Sequence, residues 1–575
     1  MKRRNNHLLL WLILVAVIIR VAYISGNNID YIATQHSWHD TDMEFFYDWG
    51  MKISKGDVLS ENVGHPHHSW YVSVSARYYG IDIKQITKEG KLEEFTKEKS
   101  IPLWDKWYHN KQFHQEPLYA YLIGAIFYLF GINPVWMYLI QNLMGIINIL
   151  LIFYITKKIF SERTAYIATV IAIFAGPVMF YETIFLRTTL TTFLGLLCVY
   201  LAMSVFESRN KKAMFLFGVC SGLLVLTRAT FLLFFVGTLL AYYYNREDKK
   251  KMIAVAVLGF MLALTPAMYR NIKIGAGVLT LSSIGAQSFI SSNAEDYTPE
   301  LGFNISNHLP EIMGKTDGNF FWTIFYTLKT HPSIYSYVRL VLRKLWMMVH
   351  DFELPNNVNY YLFESENIIL KLCFISFGMI APIGFIGMIL GLKRLKNNLV
   401  MLFYIICNVM ALLLFYPISR LRLPLLTALI PFAAFSICHL YELWGEKKYR
   451  EFVVIIILCF MLGVPGFIPT PLSKDKLRPN DYKTMYVYKY LPVLRLYYSA
   501  KAYRDYVDKL NELIEYQPKY LKTNKRWDEN LYPWRGVIAK QYAAFYFMLG
   551  DAYKEKKDEA KSKEAFESSN RLNNM

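Results

Sequence analysis

Residues 117–131 read Pro117-Leu118-Tyr119-Ala120-Tyr121-Leu122-Ile123-Gly124-Ala125-Ile126-Phe127-Tyr128-Leu129-Phe130-Gly131. The stretch is apolar throughout, yet at 15 residues it is short for a bilayer crossing, which takes about 20. Whether it crosses decides the topology of everything after it. Apolar runs long enough to span, some shortened by tilt or packing, lie near 7–25, 134–156, 163–180, 184–206, 212–227, 229–244, 251–269, 366–392, 397–416, 421–442 and 450–470. Five basic loops separate them: Lys157-Lys158 with Arg163, Arg209 with Lys211-Lys212, Arg246 with Lys249-Lys250-Lys251, Lys393-Arg394 with Lys396, and Lys447-Lys448 with Arg450. If 117–131 lies flat, all five fall on the cytoplasmic side with the N-terminus. If it crosses, all five face outward, against the positive-inside rule. The sequence therefore predicts an all-α polytopic membrane protein with eleven transmembrane helices and one interfacial helix at 117–131. Tyr119, Tyr121 and Tyr128 suit the depth of the outer leaflet.

Composition agrees. Of 575 residues 54% are apolar and 16% aromatic, which excludes an ordinary soluble enzyme. The formal net charge of +18 sits in short loops between apolar runs, so it reads as membrane orientation and not as a nucleic-acid surface. The six cysteines (Cys198, Cys220, Cys373, Cys407, Cys438 and Cys459) lie inside apolar runs and form no CxxC pair. Lys2-Arg3-Arg4 before 7–25 has the look of a signal peptide. The run is long, however, and no small-x-small site follows, so an uncleaved first span is expected.

This topology puts three segments outside: loops 26–116 and 270–365, and the tail 471–575. The expected division is a membrane domain, 1–470, and a soluble helical domain, 471–575. The tail's end, near 541–573, resembles one tetratricopeptide repeat, with Leu549-Gly550-Asp551-Ala552-Tyr553 as the close-packing step. One repeat cannot bury its own face. It is expected to pack on helices near 497–517, either as a packing module alone or as a docking surface for a protein partner.

The first loop opens with four acids in nine residues: Asp40, Asp42, Glu44 and Asp48, interleaved with aromatics. Carboxylates crowded at a membrane surface either do proton chemistry or hold a cation, unless they simply start a solvated helix. The loop also holds seven of the twelve histidines, with His65-Pro66-His67-His68 as a candidate divalent-metal cluster. Five arginines fall at the outer ends of spans, against the positive-inside trend: Arg187, Arg228, Arg270, Arg420 and Arg422. A guanidinium at that depth is costly without an anion, and a phosphate fits its planar fork. A carboxylate base beside a phosphate-binding arginine cluster is what a glycosyltransferase with a lipid-phosphate sugar donor requires. Single displacement would invert the anomeric centre. A transporter or flippase for lipid-linked sugar, or a non-catalytic assembly factor, are the alternatives. Against transport, no internal repeat is seen and the acids cluster at the surface.

The pieces also resemble, in order, the C-type-fold membrane glycosyltransferases of the protein O-mannosyltransferase and lipid A aminoarabinose transferase superfamily. The matching motifs are Asp42-x-Glu44-x-Phe46-x-x-Trp49, Glu116-Pro117-Leu118-Tyr119-Ala120-Tyr121, Leu226-Thr227-Arg228, Arg270-Asn271, and Ser419-Arg420-Leu421-Arg422-Leu423-Pro424. The resemblance implies a polyprenyl-phosphate sugar donor and an acceptor hydroxyl on a protein, lipid or glycan. It implies Asp42 as catalytic base, with Asp40 the alternative. The basic, Lys-rich composition and the uncleaved first span suit a bacterial cytoplasmic membrane. The resemblance also implies a second acid at the outer start of the fourth span. There the chain has Arg187, and the nearest acid is Glu182. Where some members carry a basic residue before the proline, the chain has Glu116.

Overall fold

The computed structural model describes residues 2–26, 34–61, 68–245, 248–392, 399–518, 521 and 535–575. Among them the regular structure is helical. The one β-type pairing is an isolated bridge between Ala175 and Phe374. The chain separates into two compact units. The larger comprises 1–26, 35–357 and 367–467; the smaller comprises 27–34, 358–366 and 468–575.

In the larger unit six helices are long and apolar enough to cross a membrane: His7–Gly26, Val135–Ile159, Thr188–Ser208, Lys249–Ile274, Ser419–Gly445 and Tyr449–Phe467. These coincide with six of the expected spans and give the chain its membrane-protein character. Shorter apolar helices run Leu118–Phe130, Ala229–Tyr244, Phe377–Leu390 and Leu399–Leu414. Two expected spans are broken. The run 163–180 becomes Glu162–Ile173 and Gly176–Tyr181, with Pro177 in the first turn of the second piece. A proline lacks the N–H that would continue the ladder and disfavours helix in the residue before it. The run 366–392 becomes Ile368–Leu372 and Phe377–Leu390. Arg246, Lys393, Arg394 and Lys396 of the basic loops lie outside the described residues.

A second, aromatic core joins the two long loops of this unit. Trp104, Trp107, Tyr108 and Tyr71 bury themselves against Leu309, Ile312 and Met313. Tyr71 stacks on Trp104 with ring centroids 4.2 Å apart. Rings at this spacing add to the area they bury, so the loops form a packed body on which a site can be held.

The smaller unit is a set of amphipathic helices. Arg535–Glu555 and Glu559–Asn573 form a helical hairpin. A Cβ at Gly550, inside the first of these helices, would lie 2.8 Å from the Phe566 ring of the second, which is why the close-packing step needs glycine. Segment 358–366 belongs here: Asn359 donates to Asp481 at 2.7 Å, and Lys489 pairs with Glu366 at 2.7 Å.

One ion pair lies inside the apolar bundle. Arg20, buried in the first helix, grips Glu182 with both arms: Nε to Oε2 at 2.6 Å and Nη2 to Oε1 at 2.7 Å. Glu182 fits a notch left by Gly145, where a Cβ would meet the carboxyl carbon at 2.1 Å. Both oxygens of this candidate second acid are thus taken up in holding the first helix to the bundle. Arg20→Leu leaves the carboxylate buried and bare, which costs about 3–5 kcal/mol. The double variant Arg20→Leu/Glu182→Leu removes both charges. We expect the single variant to lower the thermal unfolding midpoint of detergent-purified protein clearly, and the double variant to recover most of the loss.

Candidate active site

The site is built on a close helix crossing. Thr41 caps helix Asp42–Ser54, its hydroxyl accepting from the Glu44 N–H at 3.3 Å. Acids in a first turn also complement the helix dipole. This helix crosses Leu118–Phe130 at two glycines. A Cβ at Gly50 would lie 2.3 Å from Ile123, and one at Gly124 would lie 2.5 Å from Ile53. The crossing brings the start of the first helix beside Gln115-Glu116, just before the second. Phe46 closes on Tyr119 edge-on at 5.1 Å.

Asp42 is the centre of the site. Its Oδ1 accepts from Gln115 Nε2 at 2.7 Å. Its Oδ2 accepts from Asn357 Nδ2 at 2.7 Å and from Arg420 Nη1 at 2.6 Å. Burial raises the carboxyl pKa, but the Arg420 charge and the three hydrogen bonds outweigh it and hold Asp42 well below the ordinary carboxylate range. The sequence singled out Asp42 and Arg420, while Asn357, in the stretch Pro355-Asn356-Asn357 of the second long loop, reads there either as shaping an acceptor site or as an ordinary turn. Gln115 was missed. Its one signal is its place directly before the Glu116-Pro117 motif.

A cavity of about 490 Å³ opens beside Asp42, lined among others by Gln115, Glu116, Arg187, Arg228, Asn357 and Arg420. That volume suits a small-molecule ligand. Of the five candidate arginines the structure brings three together here. Arg187 pairs with Glu116, Nη1 to Oε2 at 2.5 Å. The other Glu116 oxygen accepts the Ala229 N–H at 3.1 Å, which fixes the loop carrying Arg228. Among the described residues Arg228 has no ion pair, and its Nε is buried without a hydrogen-bond partner. Burial, then the nearby charges of Arg187 and Arg420, push its pKa down. This pocket cation lacks an anion.

Arg270 and Arg422 do not line the cavity. Arg270 donates to the carbonyls of Leu59, Ser60 and Lys111 at 2.8–2.9 Å. It also lies 4.0 Å from the Phe113 ring centroid. Arg422, 1% exposed, pairs with Glu353 at 3.0 Å and donates to the carbonyls of His350 and Phe352. Both are braces between distant segments.

Asp40 does line the cavity, at a left-handed φ of 63°. It accepts from the Ser69 hydroxyl at 2.7 Å and faces His68 Nδ1 at 3.4 Å. The His68 contact, then the Ser69 bonds working against burial, lowers its pKa. Glu44 turns away and meets the exposed His39 at 2.8 Å. His65 and His67 lie outside the described residues. Among the described residues no three His, Cys, Asp or Glu side chains converge as a metal set. A metal does not fit Asp42, whose two oxygens already accept three N–H bonds.

The two kinds of arginine are separable by experiment. Arg422→Gln strips a buried glutamate of its charge partner and should cost about 3–5 kcal/mol. Arg228→Gln removes a cation without a partner and should leave the thermal midpoint unchanged or raised. Thermal unfolding of the two purified variants reads the difference.

No curated protein matches the chain. Among solved structures it is similar to the Archaeoglobus fulgidus oligosaccharyltransferase in the apo form, at 10% identity and a TM-score of 0.36 over 86% of this chain and 59% of that one. The same enzyme tethered with an acceptor peptide matches at 13% identity and a TM-score of 0.38, over 83% of this chain and 59% of that one. ArnT from Cupriavidus metallidurans bound to undecaprenyl phosphate matches at 11% identity and a TM-score of 0.34, over 80% of this chain and 66% of that one. The chain thus spans 59% of the length of the archaeal oligosaccharyltransferase. Residues 114–269 match the family described as dolichyl-phosphate-mannose-protein mannosyltransferase, and over that stretch the chain resembles the C-type-fold membrane glycosyltransferases.

Proposed function

We propose that the protein is an inverting glycosyltransferase that moves a sugar from a polyprenyl-phosphate donor to an acceptor hydroxyl. The observation that carries this reading is one cavity holding a carboxylate oriented by three donors, Asp42, together with a guanidinium that has no ion pair among the described residues, Arg228. The donor phosphate sits against Arg228, with Arg187 and Arg420 at either side. Asp42 takes the proton of the acceptor hydroxyl as it attacks the anomeric carbon from the face opposite the phosphate. Phosphate departs without protonation because the arginines stabilise the charge that grows on it. Gln115 and Asn357 keep the carboxylate aimed. Asp40 orients the cavity rim through Ser69 and His68. The fold reading that goes with this has eleven spans, helix Leu118–Phe130 in the outer leaflet, and the site on the outer face of a bacterial cytoplasmic membrane. The N-terminus is then cytoplasmic and the helical tail, 471–575, outside, where its hairpin can dock a protein partner. The acceptor is a protein, lipid or glycan hydroxyl.

The test is transfer by purified protein from a panel of polyprenyl-phosphate sugars. Asp42→Asn keeps the shape and removes the base, so the rate should fall about 10²–10⁴-fold; full activity in a folded variant would overturn the base. A chelator should leave the wild-type rate unchanged, since the Asp42 oxygens are already engaged. The pH profile gives a second check. Asp42 is held ionised below the ordinary carboxylate pKa of about 3.9, so kcat/KM should not fall as pH drops through 5. In Arg420→Gln burial acts without the opposing charge, and the acid limb should move up in pH. An unmoved limb would show that a different group titrates.

A further inference from the structure

Resting on the transferase reading, the geometry points to a second duty for Arg420: it is shared between Asp42 and the departing phosphate, passing from one to the other as the glycosidic bond breaks. The argument starts from the charges lining the cavity. Arg187 is answered by Glu116 and Arg420 by Asp42, while Arg228 is unanswered. A donor phosphodiester carries one negative charge, which one free guanidinium matches. The reaction breaks the bond between the anomeric carbon and the phosphate oxygen, and the electron pair stays on that oxygen. The acceptor oxygen bonds to the anomeric carbon and its proton goes to Asp42. The phosphate, now a monoester, gains a second negative charge as Asp42 loses its own.

That second charge needs a second cation, and two are within the cavity. Withdrawing Arg187 would leave Glu116 a bare carboxylate in a buried place, at high cost. Withdrawing Arg420 leaves a carboxyl that has just been neutralised. Arg420 is also equipped for the exchange. It holds Asp42 through Nη1 alone, and its Nε is buried without a partner. Asp42 keeps Gln115 and Asn357 when Arg420 leaves, so the base is not released with its counter-ion. Leaving-group departure and proton uptake are thereby linked through one side chain.

The experiment measures binding of a short-chain prenyl monophosphate, a mimic of the leaving group, to the full chain in detergent. The variants are wild type, Asp42→Asn, Arg420→Gln and the double variant, with Asp42→Ala as a second removal of the carboxylate. Each variant's thermal unfolding is recorded to show that it is folded. Freeing Arg420 adds a charge-assisted hydrogen bond, so Asp42→Asn should bind the monophosphate about 10-fold tighter or more. In the Arg420→Gln background the same change should gain less than about threefold. A prenyl methyl phosphodiester, with one charge, should show a smaller gain than the monoester. An equal gain in both backgrounds would mean general relief of repulsion and would overturn the shared arginine, as would no gain at all. Failure of the wider reading looks different. If the monophosphate binds neither wild type nor Asp42→Asn, or Arg228→Gln leaves its affinity unchanged, the phosphate site and the shared arginine both fall.

Discussion

A guanidinium removed from water must be answered by an anion or by several carbonyls, because its desolvation is not otherwise repaid. That constraint shapes the larger unit of this chain. Arg20 in the first apolar helix is answered by Glu182, Arg422 by Glu353 and backbone carbonyls, and Arg270 by three carbonyls. Each answer ties together segments far apart in sequence. Where the answer is complete the arginine is structural. Arg228 differs: among the described residues it has no ion pair, and its Nε faces the cavity region without a hydrogen-bond partner.

The same rule explains what could be read from the sequence. Apolar runs and the sign of the loops between them are local properties, so six long helices coincide with expected spans. The breaks at Ala175-Gly176-Pro177 and before Ser376-Phe377 were legible in principle, yet they were absorbed into hydropathic averages. Asp42 stood out because it follows the first span and starts an aromatic helix. Arg187, Arg228 and Arg420 could not be told from Arg270 and Arg422, since all five are the same residue at the same end of apolar runs. What separates them is the partner, and the partners are 71 to 378 residues away for the ion pairs Arg187–Glu116 and Arg420–Asp42. Arg20 offered a clue that was passed over. A charge two thirds of the way along a spanning run demands a partner, and that demand removes Glu182 from the list of free acids.

The precision of the site comes from elements that carry no chemistry. Gly50 and Gly124 set the distance between two helices, and so between Asp42 and Gln115. The aromatic core of Tyr71, Trp104 and Trp107 stiffens the loops that frame the cavity. Glu116 joins a loop N–H to Arg187 and leaves Arg228 the neighbour without an anion. The Asp42 carboxylate, held by two neutral amides and one guanidinium, is oriented from three sides.

The Glu116–Arg187 pair bears on how such a chain can change over time. The two residues stand 71 positions apart in the chain, one before the helix Leu118–Phe130 and the other before the helix Thr188–Ser208. In the folded molecule they touch. Glu116→Lys alone would set two cations face to face, and Arg187→Glu alone two anions, in a cavity with little water to shield them. Each residue is therefore held in place by the other's charge, and a change of sign at one position calls for the opposite change at the other.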